Sequence, residues 1–171
     1  MVTEIARGHD TAWQIAAGVP DPELPMVTLA DLGILREVRA DGDAVTVTIT
    51  PTYSGCPAMR EIGFDLRHRL RGAGFAEVIV RTALFPPWSS DWITPEGRNK
   101  LTAAGIAPPN SADQRVAGPI PLALSAPVRR VRCPGCGSSR TLETAQFGAT
   151  ACKALYRCQD CQEPFEYVKE I

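Results

Sequence analysis

Two Cys-x-x-Cys pairs near the end of the chain constrain its fold more than any other feature. Cys133-Pro-Gly-Cys136 and Cys158-Gln-Asp-Cys161 are separated by 21 residues, enough for a β-hairpin that brings the pairs together. Four thiolates at this spacing can surround one tetrahedral Zn²⁺. The sequence therefore predicts a zinc ribbon in which these four cysteines are the ligands of a structural metal ion. An iron–sulfur cluster or a single iron on the same sulfurs is the alternative that ligand identity leaves open.

The composition is that of an ordinary globular protein, with 44% hydrophobic residues, 22% charged residues and a net charge of -1. Residues 1–128 carry 11 basic and 14 acidic side chains, and residues 129–171 carry 7 and 5, so neither part has the positive field typical of nucleic-acid binding. No apolar run approaches the roughly 18 residues of a membrane span. Residues 1–10 lack the basic and then apolar pattern of a secretory signal. Cysteines paired in knuckles, without an export signal, favour reduced thiols and a cytoplasmic protein with no membrane or nucleic-acid partner.

Hydrophobic periodicity predicts a small α/β (α+β) domain, with element order α-β-β-α-β-α, upstream of the C-terminal zinc ribbon. The predicted elements in chain order are a helix over 11–19 capped by Asp10 or Thr11, strands over 34–38 and 44–50, a helix from Pro57 to Gly72, a strand over 76–82 and a helix over 95–104 capped by Thr94. A stretch rich in Pro and Ala then predicts an extended linker. The expected domains are therefore residues 1–107, a linker over 108–130 and the ribbon over 131–171.

Cys56 is the residue of the first domain whose surroundings most clearly favour chemical reactivity. It lies in Pro51-Thr-Tyr-Ser-Gly-Cys56-Pro57, between a predicted strand and a helix whose first position suits Pro57, so we expect Cys56 at the N-cap or just before it. A helix N-terminus lowers the pKa of a thiol and favours the reactive thiolate. Gly55 would allow a ligand to approach the backbone closely or the chain to turn sharply. The alternative is a small buried apolar residue, as for an average cysteine.

Other residue types give little support for catalysis. His9 and His68 offer no pairing, and His68 falls on the polar face of the second helix. We find no Ser-His-Asp arrangement, hydrolytic metal cluster or glycine-rich phosphate loop, and expect a protein that is not an enzyme. Cys152 is interpreted as a buried small residue, with a substitute metal ligand or an exchange partner for Cys56 as alternatives. The acidic turn at Asp21 could place a carboxylate beside Cys56, but turn formation explains it equally well.

Several motifs together resemble a known family. Asp21-Pro-Glu-Leu-Pro, Asp31-Leu-Gly, the segment around Cys56 and Pro86-Pro-Trp are similar to the small domain of iron–sulfur cluster assembly and targeting factors such as SufT, over roughly residues 10–107. The tail, including Gln146-Phe-Gly-Ala-Thr-Ala-Cys and Pro164-Phe-Glu-Tyr, resembles the PaaD (PaaJ) family of the phenylacetyl-CoA epoxidase system.

The resemblance implies an accessory factor rather than the oxygenating subunit. It implies that Cys56, which matches the family's signature cysteine, handles iron or a transient iron–sulfur cluster, while the ribbon holds structural Zn²⁺. The implied partners are the epoxidase subunits, above all the ferredoxin-type reductase, and the iron–sulfur assembly machinery. A homodimer would supply two such thiols. Two other roles stay open: a non-catalytic structural subunit of the epoxidase, and a thiol-disulfide enzyme using Cys56 and Cys152.

Overall fold

The structure is a computed structural model that describes residues 2–110 and 131–171. Most of the predicted linker, residues 111–130, lies outside the described residues. The elements are α1 (Val2–Ala17), β1 (Leu35–Asp41), β2 (Ala44–Ile49), α2 (Ala58–Gly72), β3 (Glu77–Thr82), a 3-10 turn (Ser90–Trp92), α3 (Pro95–Ala103), β4 (Ile106–Ala107), β5 (Thr141–Ala145), β6 (Lys153–Cys158) and β7 (Pro164–Val168). The chain divides into two compact units, residues 1–100 with Ile171 and residues 101–170.

The first unit is built on a three-stranded sheet with strand order β1-β2-β3. β1 and β2 form an antiparallel hairpin, and α2 connects β2 to the parallel strand β3. The predicted alternation in β2 is confirmed, since Val45, Val47 and Ile49 are each at most 2% exposed. Ile62 and Leu66 of α2 are equally buried, as its helical periodicity predicts. Both elements therefore contribute buried apolar side chains to the core of this unit.

The first helix begins earlier than the sequence predicts. α1 starts at Val2 and passes through Asp10 and Thr11, the two predicted caps, before ending at Ala17. The segment before Asp10 contains no proline, and its single glycine, Gly8, weakens a helix by only about 1 kcal/mol. The two predicted cap residues, Asp10 and Thr11, therefore lie inside the helix, and both are exposed.

The second unit is a four-stranded sheet with strand order β4-β7-β6-β5. Tyr156 packs against the rings of Phe165 and Tyr167, with centroid distances of 5.9 and 5.5 Å, and the same buried cluster includes Cys133 and Cys158. The two residues of β4, which the predicted domain boundary assigns to the first domain, pair in parallel with β7. The ribbon core thus surrounds two of the cysteine sulfurs directly.

No helix within residues 2–110 and 131–171 combines the length and the apolar content that crossing a membrane requires.

Candidate functional site

Cys56 lies at the carboxyl end of β2, in the loop that leads into α2. Its N–H donates to Tyr53 O at 3.1 Å, and its carbonyl accepts from the N–H of Met59 at 3.4 Å. Pro57, with φ -67°, is the cap residue of α2, so Cys56 is placed just before the cap, one of the two predicted positions. The cysteine is half-buried between the exposed residues Gly55 and Pro57. Crevices at the carboxyl ends of parallel strands are where α/β sheets bind ligands.

Gly55 does not have a left-handed backbone, in contrast to Gly42 of the hairpin and to Gly74 and Gly105, which follow α2 and α3. A Cβ at this position would meet only the Tyr53 ring, at 3.6 Å, which is an ordinary contact. Gly55 thus lies in the turn closed by the hydrogen bond from the Cys56 N–H to Tyr53 O, but its backbone conformation does not require glycine.

The acidic turn proposed as a neighbour of Cys56 has a structural role. Asp21 is 6% exposed, and its Oδ1 accepts hydrogen bonds from the N–H groups of Glu23 and Leu24, both at 2.9 Å. This is the turn chemistry expected of aspartate. The Asp21 carboxylate therefore stabilises the loop to which it belongs.

Asp31 is the centre of a second structural network. Its Oδ2 accepts from the Thr28 N–H and from Lys100 Nζ, each at 2.9 Å, while its own N–H donates to Thr28 Oγ1 at 3.2 Å. Its carbonyl accepts from the Thr94 N–H at 2.8 Å. Burial alone would raise the pKa of Asp31, but the hydrogen bonds from Lys100 and Thr28 outweigh it and lower the pKa below 3.8. The carboxylate ties the loop before β1 to α3.

Gly33 and Trp88 complete this anchoring. Gly33 has φ +67°, and a Cβ there would lie 2.5 Å from Trp92 Cβ. The buried Trp88 donates from Nε1 to the carbonyl of Leu32 at 2.8 Å. Packing and backbone geometry therefore account for the Asp31-Leu-Gly and Pro86-Pro-Trp motifs. The Cys56 motif differs from them because its cysteine is half-exposed.

The four ribbon cysteines converge on one point. The Sγ atoms of Cys133, Cys136, Cys158 and Cys161 lie within 4.8 Å of one another, with Cys133–Cys161 at 3.7 Å and Cys136–Cys158 at 3.5 Å. With Zn–S bonds of about 2.3 Å, the edge of a tetrahedral site is about 3.8 Å. The sulfur spacing therefore fits a four-coordinate metal closed to further ligands, as in structural sites.

The two knuckles share one backbone feature that the sequence shows only in part. Gly137, the residue after the first pair, has φ +73°, and Gln162, the residue after the second pair, has φ +66°. Glycine adopts this left-handed conformation readily, whereas Gln162 is the non-glycine residue of the described ranges with a positive φ. Its equivalent position after a Cys-x-x-Cys pair is the signal that would have identified it.

Backbone amides in the second knuckle stabilise negative charge on sulfur. Hydrogen bonding from the Cys161 and Asp160 backbone N–H groups lowers the pKa of Cys158 to about 6, and the Asp160 N–H lies 3.4 Å from that sulfur. The Glu163 N–H lowers the pKa of Cys161, but the hydrogen bond with the Cys158 sulfur and burial outweigh it and raise that pKa to about 12. The backbone amides of the second knuckle thus favour the thiolate form of Cys158, the form in which a cysteine binds a metal.

A polar bridge outside the sulfurs joins the two knuckles, and sequence analysis missed it. Arg140 donates from Nε and Nη2 to Asp160 Oδ1, the first contact at 2.9 Å, and Ser138 Oγ donates to Asp160 Oδ2. The Gln159 N–H donates to Arg140 O at 2.8 Å. The bridge holds Asp160, whose backbone N–H lies 3.4 Å from the Cys158 sulfur, and groups that position metal ligands help to set metal affinity.

The remaining candidate residues, Cys152 and His68, are not members of this cluster. Cys152 is not one of the four clustered sulfurs, and its Sγ lies 3.1 Å from Thr150 Oγ1. His68 is exposed, as predicted, and stacks on Phe64 with a centroid distance of 6.3 Å.

The fold and the two cysteine sites define a class of protein: an iron–sulfur assembly-type domain carrying a zinc ribbon. Residues 13–80 match the family model described as "Iron-sulfur cluster assembly protein", and residues 118–169 match the "PaaD zinc beta ribbon domain". A crystal structure of a Domain of Unknown Function, DUF59, from Bacillus anthracis is 26% identical with a TM-score of 0.54, covering 59% of this chain and 97% of that one. These matches confirm the predicted α+β fold class.

One relative matches nearly the whole chain. It is a putative 1,2-phenylacetyl-CoA epoxidase subunit of Escherichia coli (strain K12), 43% identical over 159 residues, and the match covers 93% of this chain and 91% of the relative. The chain therefore belongs to the PaaD family, and the resemblance predicted from its motifs is confirmed.

Proposed function

We propose that this protein is an accessory factor that matures or delivers iron–sulfur clusters for a phenylacetyl-CoA epoxidase, with Cys56 handling iron or the cluster in transit. The observation that carries the proposal is the position of Cys56, half-exposed at the carboxyl end of β2, in a domain whose other motifs are explained by folding. The match of residues 13–80 to an iron–sulfur assembly family supports the same role. The role is non-catalytic: the chain prepares a partner that carries out the oxidation.

The number of ligands suits a transient site. Cys56 is the only cysteine within residues 1–107, so one domain offers one thiolate to a cluster that needs about four protein ligands. The missing ligands must come from a second chain or from the recipient. A cargo held by few ligands is also released easily. We infer that a homodimer or a docked client completes the coordination.

The ribbon has a different role in this proposal. Cys133, Cys136, Cys158 and Cys161 hold Zn²⁺, because their sulfurs form a closed tetrahedral set next to the ribbon's aromatic core. Such a site contributes directly to folding. The metal therefore fixes the ribbon, and the transient chemistry belongs to Cys56.

The proposal is tested on the ferredoxin-type reductase of the epoxidase, co-expressed with the wild-type protein or with a variant. Cys56→Ala should lower the iron and acid-labile sulfide content of the purified reductase and the epoxidase activity that depends on it. Cys152→Ala is the matched control, since Cys152 is also half-buried and lies outside the four-sulfur cluster. It should leave both quantities unchanged. Full cluster occupancy and activity with Cys56→Ala would refute the proposal.

A non-catalytic structural subunit is the second candidate, favoured by the name of the Escherichia coli relative, which is described as an epoxidase subunit. It predicts that the protein co-purifies stably with the oxygenase and that Cys56→Ala has no effect on cluster content. The same co-expression experiment distinguishes the two.

A further inference from the structure

α2 presents an outward arginine face, which we define as Arg60, Phe64, Arg67, His68 and Arg71. At about 100° per residue these positions span an arc of about 100°, and they extend for about 16 Å along the helix. The opposite side of the same helix is buried in the core. The arginine face is therefore a continuous surface, and four of its members line one open depression of about 400 Å³.

The positive charge of this face is not neutralised by ion pairs among the described residues. Arg60, Arg67 and Arg71 form no ion pair with any residue of the described ranges 2–110 and 131–171. Arg67 Nη1 instead donates to the Gly63 carbonyl at 2.9 Å, which orients its guanidinium. α2 contains four arginines and two acidic residues, a net charge of +2, although residues 1–128 together carry -3. Positive charge is thus concentrated on one helix of an otherwise acidic region.

The residue types are those of a protein interface. Phe64 is 67% exposed, with its ring parallel to the imidazole of His68 within 5°. Arginine and aromatic residues are enriched in protein interfaces, whereas lysine is depleted, and α2 contains no lysine. Guanidinium groups bind carboxylates in a bidentate manner. A protein surface rich in carboxylates fits this face better than a nucleic acid, whose binding proteins have a strongly positive charge.

The arginine face also adjoins the proposed cargo site. α2 begins at Ala58, two residues after Cys56, and Arg60 lies in its first turn. A partner bound along the helix would therefore reach the Cys56 end of it. We infer that the arginine face docks a carboxylate-rich surface of the client reductase, with Phe64 as its apolar contact, an inference that rests on the proposed function.

The test measures binding of the purified reductase to the full-length protein by calorimetry at low and moderate salt. Arg71→Glu and Arg69→Glu form a matched pair, because both residues are exposed in the last turn of α2 and only Arg71 belongs to the arginine face. We expect Arg71→Glu and Phe64→Ala to weaken binding about tenfold, and Arg69→Glu to change it less than twofold. Wild-type binding should weaken with added salt. Equal urea midpoints of the two arginine variants show that folding is not the cause.

Three outcomes overturn the inference, and they are distinguishable. Equal binding losses for Arg69→Glu and Arg71→Glu would show that only net charge matters, and duplex DNA binding as tightly as the reductase would assign the face to nucleic acid. In both cases the effect of Cys56→Ala on reductase cluster content can persist, so the proposed function survives. If the wild-type protein does not bind the reductase at all, the docking inference fails. The effect of Cys56→Ala on reductase cluster content then decides separately whether the proposed function fails as well.

Discussion

Gly33 is the position at which the structure makes its sharpest quantitative prediction. The backbone there has φ +67°, a conformation that costs an L-residue roughly 1–2 kcal/mol. A Cβ would also lie 2.5 Å from Trp92 Cβ and 2.7 Å from Trp92 O, so the backbone must move, and overpacking of this kind costs about 1–3 kcal/mol. Gly33→Ala should therefore lower the free energy of unfolding by about 2–5 kcal/mol.

Tryptophan fluorescence during urea unfolding reports this loss of stability in the first compact unit, which contains Gly33. Trp13, Trp88 and Trp92 all lie within residues 1–100 of that unit. With a slope of about 1.5 kcal/mol/M for a unit of this size, the urea midpoint of Gly33→Ala should fall by about 1–3 M. Gly42→Ala is the control: its φ is +61°, but no heavy atom lies within 4 Å of the added Cβ. Only the backbone contribution of roughly 1–2 kcal/mol is expected there. Equal losses in the two variants would refute the argument that Gly33 is required for close packing.

Three further predictions concern the ribbon and the Asp31 network. Arg140→Gln should weaken zinc binding about tenfold or more, as measured by competition with a chromophoric chelator. Arg132→Gln is the control, because Arg132 is exposed and adjacent to the same knuckle, and it should leave zinc binding unchanged. Equal zinc affinities of the two variants would show that the Arg140–Asp160 bridge does not help to retain the metal. Gln162→Gly should retain zinc at least as well as wild type, because it removes a side chain at a positive φ. Gly137→Ala should lose zinc faster than wild type, because it introduces a side chain at a positive φ. Faster zinc loss from Gln162→Gly than from Gly137→Ala in chelator competition would contradict this reasoning. Because the folded-state pKa of Asp31 is lowered from 3.8, its charge stabilises the protein above that pH and the contribution is lost as pH falls through the folded-state pKa. The difference in urea midpoint between wild type and Asp31→Asn should therefore shrink between pH 7 and pH 3, and a constant difference would argue against this linkage.

The sequence predicted the elements whose signals are local. Alternation in β2, helical spacing in α2 and the Thr94 cap, whose Oγ1 accepts from the Gly97 N–H at 3.0 Å, depend on neighbouring residues and are confirmed. The predicted start of α1 was wrong because Asp10 and Thr11 are good caps, but inside a helix each costs only up to about 0.7 kcal/mol relative to alanine, and no proline upstream ends the helix.

The features of the candidate sites also differ in whether their sequence signals are local. The spacing of the ribbon cysteines and the turn before α2 could be predicted, since each is a short-range pattern. The contact of Gly33 with Trp92 and the bridge from Arg140 to Asp160 join residues that are distant in sequence. The arginine face required one more fact from the structure: that its guanidinium groups have no acidic partner among the described residues. Periodicity indicates that a helix face is polar, but not whether its charges are paired.

The central claim, that Cys56 and the ribbon bind metal for different purposes, is tested most directly by metal analysis after anaerobic loading with iron and sulfide. The account predicts about one zinc per chain in wild type and in Cys56→Ala, with chelatable iron and cluster absorption in the visible range in wild type alone. Equal iron and equal absorption in both proteins would contradict it. So would iron binding that disappears only when Cys133 or Cys158 is replaced, because that result would place the cluster in the ribbon.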